Sequence, residues 1–121
     1  MATILVVDDD VASRRLVTYI LERHQHIPIP ACSAQEALEW LEENCPELAV
    51  MDIAMPVMDG MALLHQLRAD PRFQKLPVLV VTASSYEEAR VIAGVEGANG
   101  FLTKPISSQD LLEAVERLLS R

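Results

Sequence analysis

Basic residues are scarce in this chain and nowhere clustered: ten Lys plus Arg stand against 18 Asp plus Glu in 121 residues, a formal charge of −8. Direct binding to a nucleic-acid backbone or to an anionic membrane needs a concentrated positive face, so both are excluded as partners. No apolar run approaches the ~18 to 20 residues that span a bilayer, and the N-terminus carries neither a basic leader nor a small-residue cleavage site. A cytoplasmic protein is expected. Only two cysteines occur, Cys32 and Cys45, without the histidine spacing of a zinc site, and they read as reduced thiols. The length leaves room for one domain, residues 1–121, and half the residues are apolar, enough for a core.

What is present is an alternation. Short apolar runs at 3–7, 48–51, 77–82 and 98–103 are strand candidates, and the first and third are apolar nearly throughout, which suits a parallel sheet covered on both faces. Amphipathic patterns at 11–23, 34–43, 60–69, 85–95 and 107–120 predict helices between them. Two open with capping-box patterns, Ser33-Ala-Gln-Glu36 and Ser107-Ser-Gln-Asp110.

A fifth strand at 26–32 completes a (βα)5 chain. It carries Pro28 and Pro30, and amides two apart in an extended chain point the same way. Both missing donors therefore face one side, which must be a sheet edge. A doubly wound, flavodoxin-like α/β sheet of order 2-1-3-4-5, with helices on both faces, puts its second strand at such an edge. It also gathers ligands at the carboxyl ends of strands 1 and 3.

Those ends carry chemistry. Asp8-Asp9-Asp10 follows strand 1, Asp52 follows strand 3, Thr82-Ala83 ends strand 4, and Lys104-Pro105 ends strand 5. Lys104 is one of only two lysines in the chain. Two carboxylates ~5 Å apart repel by roughly 3 kcal/mol at an effective dielectric near 20, so three in one pocket require a cation. Oxygen donors favour a hard ion such as Mg²⁺, which readily accepts a phosphate oxygen. In-line phosphoryl transfer needs a nucleophile, a divalent ion and fixed donors, roles that Asp52, Mg²⁺, Lys104 and Thr82 cover.

Asp8-Asp9, Asp52 with Pro56 and Gly60 following, Thr82-Ala83 and Lys104-Pro105 together resemble the receiver domain of bacterial two-component response regulators, across the whole chain. The resemblance implies that Asp52 accepts a phosphoryl group from the phosphohistidine of a sensor histidine kinase or phosphotransfer protein. Asp9 would ligate Mg²⁺ directly, Asp8 largely through water, and the Ala54 carbonyl would complete the protein's share. Lys104 would bridge to Asp52 or its phosphate, and Thr82 and the Ala83 amide would bind phosphoryl oxygens. Phe101 matches the aromatic that swings inward with that threonine, coupling the pocket to a downstream protein target on the face of the fourth helix, fifth strand and fifth helix. A cis Lys104–Pro105 bond is implied as well. The chain would catalyse only its own phosphorylation and dephosphorylation, not the turnover of a separate substrate.

Several residues read more plainly. Asp10 is expected to cap the first helix, Trp40 to pack, and Met51, Met55, Met58 and Met61 to fill gaps around Asp52. His24 and His26 sit at the end of the first helix and are assigned no metal. Ala54 and Ser84 offer no group to position a hydrolytic water, which implies slow to moderate self-dephosphorylation. Gly97-Ala98-Asn99-Gly100-Phe101 lacks the two acids that winged-helix regulators use in dimer salt bridges. The alternative is a Mg²⁺-dependent phosphatase of the haloacid dehalogenase type, with its nucleophile in Asp8-Asp9-Asp10. That chemistry needs a second acidic pair after the lysine, where only Asp110, Glu113 and Glu116 remain.

Overall fold

A computed structural model of the chain describes residues 1–53, 60–83 and 97–120. The strands are β1 (Thr3–Val7), β2 (Ile27–Ala31), β3 (Leu48–Met51), β4 (Val78–Thr82) and β5 (Gly100–Thr103). The described helices are α1 (Val11–Arg23), α2 (Ala34–Leu41), α3 (Gly60–Ala69) and α4 (Ser108–Leu119). The helix expected at 85–95 lies outside the described residues, as do Ala54, Met55, Pro56, Met58 and Ser84.

All strand pairs are parallel, in the order β2-β1-β3-β4-β5 that the sequence predicts. Pro28 and Pro30 explain the edge. Ile27 donates to the Ala2 carbonyl at 2.8 Å and the Ala31 carbonyl accepts from Asp8, so odd residues of β2 face β1 and the prolines face outward.

Alternation along the strands divides the core into two layers. Leu5, Val7, Ala49, Met51, Val78 and Val80 pack against α2, α3 and the buried Phe73. Ile4, Val6, Leu48, Val50, Leu79 and Val81 pack against Val17, Ile20 and Leu21 of α1 and Leu111, Val115 and Leu118 of α4. No described helix is long and apolar enough to cross a membrane.

Local chemistry sets the helix ends. Ser33 and Ser107 accept the amides of Glu36 and Asp110, at 3.1 and 3.0 Å. Glu36 returns its bond to the amide of Cys32, not to Ser33. α2 stops at Leu41 rather than residue 43 because side chains take its last carbonyls: Asn44 donates to Trp40, and Arg72 to Leu41 and Glu42. α1 ends in a Schellman arrangement, with His26 donating to Leu21, Gln25 donating to Glu22, and Gln25 in the left-handed region at φ 68°. His26 is buried and belongs to this turn, where its Nδ1 accepts from Ala2 at 3.2 Å.

β5 starts at Gly100, not at 98, because Asn99 pairs with Val78 through both its amide and its side-chain oxygen, each at 2.8 Å. Arg68 anchors the same corner by donating to Gly97 and Phe73 carbonyls and to Asn99 Oδ1.

Candidate functional site

Because every strand runs the same way, the residues that follow them collect at one edge of the sheet. Asp8 follows β1, with its amide on the Ala31 carbonyl at 3.1 Å. Asp52 follows β3, with its amide on the Val7 carbonyl at 3.0 Å. Adjacent strands thus deliver adjacent carboxylates, and both are buried to 5 % exposure. Asp9 joins them from the exposed side, and one oxygen from each of Asp8, Asp9 and Asp52 lies within 4.8 Å of the others. No other group of three potential metal-ligating side chains occurs among the described residues.

Lys104 spans the pocket. Its Nζ lies 3.0 Å from Asp8 Oδ2 and 2.9 Å from Asp52 Oδ2. The Lys104 amide donates to the Thr82 carbonyl at 2.9 Å, which ties its loop to the end of β4, and the Lys104–Pro105 bond is cis. Burial pulls the ammonium down, but its hydrogen bonds to Asp52 and Asp8 outweigh that and leave its pKa raised. Asp8 behaves differently. Burial raises its carboxyl, and the bonds from the Asp10 amide and Lys104 do not bring it back. Three carboxylates there face a single ammonium.

Thr82 is fully buried at the end of β4, and Ala83 follows it, exposed at the same edge. Phe101 sits in β5 opposite Val80, half-buried against the layer that holds α2 and α3. Asp10 occupies the N-cap position of α1 with extended backbone, yet its carboxylate takes the Ser13 hydroxyl at 2.8 Å. That bond, above all, holds its pKa low.

Two residues make the site possible without carrying its chemistry. A β-carbon on Gly60 would overlap the carbonyl of Asp52 and the Cα of Ile53, so only glycine lets α3 start this close to β3. Arg14 donates to the Asp8 carbonyl at 2.8 Å, a contact that sequence reading missed because an arginine in a first helical turn reads as surface.

The donor set is entirely hard oxygen, and three carboxylates face one ammonium, so the cluster fits a divalent cation such as Mg²⁺. The phosphatase alternative finds no support, for Asp110 and Glu113 lie on the exposed side of α4 and Glu116 approaches His26 at 3.5 Å, remote from the carboxylates.

The profile of the response regulator receiver domain matches residues 4–116. PilH of Pseudomonas aeruginosa is 32% identical over 120 residues, covering 99% of each chain. Response regulator Rre1 of Synechocystis sp. is 37% identical over 120 residues; the match takes in 98% of this chain and 52% of Rre1. A solved response regulator structure from Chloroflexus aurantiacus superposes with a TM-score of 0.95 at 32% identity, over 99% of this chain and 98% of that one.

Proposed function

The chain belongs to the response regulator receiver domain family, the phosphoacceptor signalling components of two-component systems, and from that premise we propose that Asp52 is its phosphoacceptor. Receiver domains are signalling switches that bind Mg²⁺ at an acidic pocket and interact with histidine kinases or phosphotransfer proteins. The observation that carries the assignment is the Lys104 ammonium held between Asp8 and Asp52 in a three-carboxylate cluster.

In this reading an Asp52 carboxylate oxygen attacks the phosphorus of a donor phosphohistidine. The phosphorus–nitrogen bond breaks, and its electron pair returns to the imidazole. Lys104 turns from the carboxylates toward the transferred group, while the Thr82 hydroxyl and the Ala83 amide donate to its other oxygens. Asp8, Asp9, Asp52 and the Ala54 carbonyl would hold Mg²⁺, which when bound supplies charge neutralisation to the carboxylates and the phosphoryl oxygens. The chain thereby promotes its own phosphorylation and, with water as acceptor, its own dephosphorylation at a slow to moderate rate, because Ala54 and Ser84 carry no water-positioning group.

The output in this reading runs through Thr82 and Phe101. Thr82 ends β4 and Phe101 lies two positions back on the neighbouring strand, opposite Val80; in this reading the aromatic swings inward when the threonine moves toward a phosphate. A partner would read that change on the face of β5, α4 and the helix predicted at 85–95. Phe101, Leu102, Asp110, Glu113, Ala114 and Arg117 line a groove of about 350 Å³ on that face. Residues 1–121 act in this reading as one receiver unit in the cytoplasm, where a kinase can reach it. Incubation with acetyl phosphate and Mg²⁺, followed by intact mass, tests it: one phosphoryl group per chain is expected, with none in Asp52→Asn or with chelator present.

A further inference from the structure

The loop that carries Asp8 and Asp9 is held at three points. The Asp8 amide donates to Ala31, the Asp8 Oδ1 accepts the Asp10 amide at 2.9 Å, and the Asp8 carbonyl accepts Arg14 Nη1 at 2.8 Å. The first two belong to the sheet and to a local Asx turn. The third is unusual. β1 and β2 both end one residue earlier, at Val7 and Ala31, so the Asp8 carbonyl stands beyond the last rung of the ladder. An acceptor on a buried residue in that position needs a partner, and Arg14 supplies it from one turn into α1.

The peptide bond is planar, so the Asp8 carbonyl and the Asp9 amide are one rigid unit. A guanidinium fixed on that carbonyl fixes the plane from which Asp9 departs. Asp9 is the exposed member of the carboxylate cluster, without the burial that holds Asp8 and Asp52 in place. We propose that Arg14 is a positioning residue for the cation site, clamping the Asp8–Asp9 peptide so that the Asp9 carboxylate is presented to the metal. The inference rests on the reading of Asp8, Asp9 and Asp52 as cation ligands.

A second consequence gives the proposal its test. Arg14 is a cation beside a cation site, so its charge alone disfavours a divalent ion. Were it only a neighbouring charge, its removal would tighten metal binding; as a clamp, its removal loosens it. Partners that orient a ligand typically cost ~10–100-fold in metal affinity when lost.

Titration calorimetry of the metal-stripped full chain with MgCl₂ reads the outcome directly. Arg14→Met is expected to weaken Mg²⁺ binding ~10-fold or more, with Arg14→Lys keeping most of the affinity. Arg15→Met, which removes the same charge from the next and exposed helix position, should change affinity less than ~2-fold. In an Asp9→Asn background the Arg14→Met effect should vanish, because the clamp acts through Asp9. Unchanged or tighter binding in Arg14→Met overturns the proposal, and so does a loss that persists in full without Asp9. Circular dichroism of the metal-free variants reports folding, and Arg14→Gln is read by the same criteria should Arg14→Met not fold. Failure of the wild-type chain to bind Mg²⁺ would instead overturn the assignment of the ligands.

Discussion

Lys104 Nζ stands 2.9 Å from Asp52 Oδ2, joining two residues 52 positions apart across the carboxyl ends of β3 and β5. It meets Asp8 Oδ2 at 3.0 Å as well, so one ammonium serves two buried carboxylates. Those are the oxygens that a divalent cation would also seek.

Lysine and cation therefore compete. Lys104→Met should lower metal-free stability by about 2 kcal/mol, less than a fully buried pair costs, because the pocket is open on the Asp9 side. The same substitution should tighten Mg²⁺ binding. Urea unfolding in chelator and calorimetric titration of MgCl₂ check the two halves, which have opposite signs.

Mg²⁺ should stabilise the fold by linkage. At a concentration ten times its dissociation constant the gain is about 1.4 kcal/mol, reversible by chelation. Asp9→Asn should lose most of that gain. Glu113→Gln, an exposed acid on α4, should retain it. Thermal unfolding with and without MgCl₂ measures both.

Gly60 cannot gain a side chain without moving backbone, since the overlap falls on Asp52 and Ile53 main-chain atoms. Gly60→Ala should cost about 2 kcal/mol, in the range of overpacked core positions. It should also slow phosphate uptake, because relief of the overlap shifts Asp52. Chemical unfolding and the rate of phosphorylation by acetyl phosphate are the measurements.

Gln25 holds a left-handed backbone at the end of α1, a conformation that a residue with a β-carbon adopts only at a steric cost. Gln25→Gly should stabilise the protein by roughly 0.5–1 kcal/mol, seen as a raised denaturation midpoint. The turn lies at the opposite end of β2 from the site, so the phosphorylation rate should not change.

How far the sequence could be read depended on the kind of feature. Strand order was legible because Pro28 and Pro30 mark an edge by what they cannot donate, and the site because strand-end residues converge in any parallel sheet. Helix ends were less so: α2 stops early because of Arg72, some thirty residues downstream. Phe73, the largest fully buried side chain among the described residues, sits in a turn where no periodicity announces burial. Arg14, Arg68 and Gly60 act on backbone atoms outside their own helices, six to 29 positions away, and pattern carries no record of such contacts.

The most direct test of the phosphoacceptor assignment is to locate the phosphoryl group. After incubation with acetyl phosphate and Mg²⁺, borohydride reduction converts an aspartyl phosphate to homoserine, and tandem mass spectrometry reads its position. Homoserine at residue 52 alone is the predicted result. Homoserine at residue 8 or 9, or an unreduced phosphate on another side chain, would contradict it.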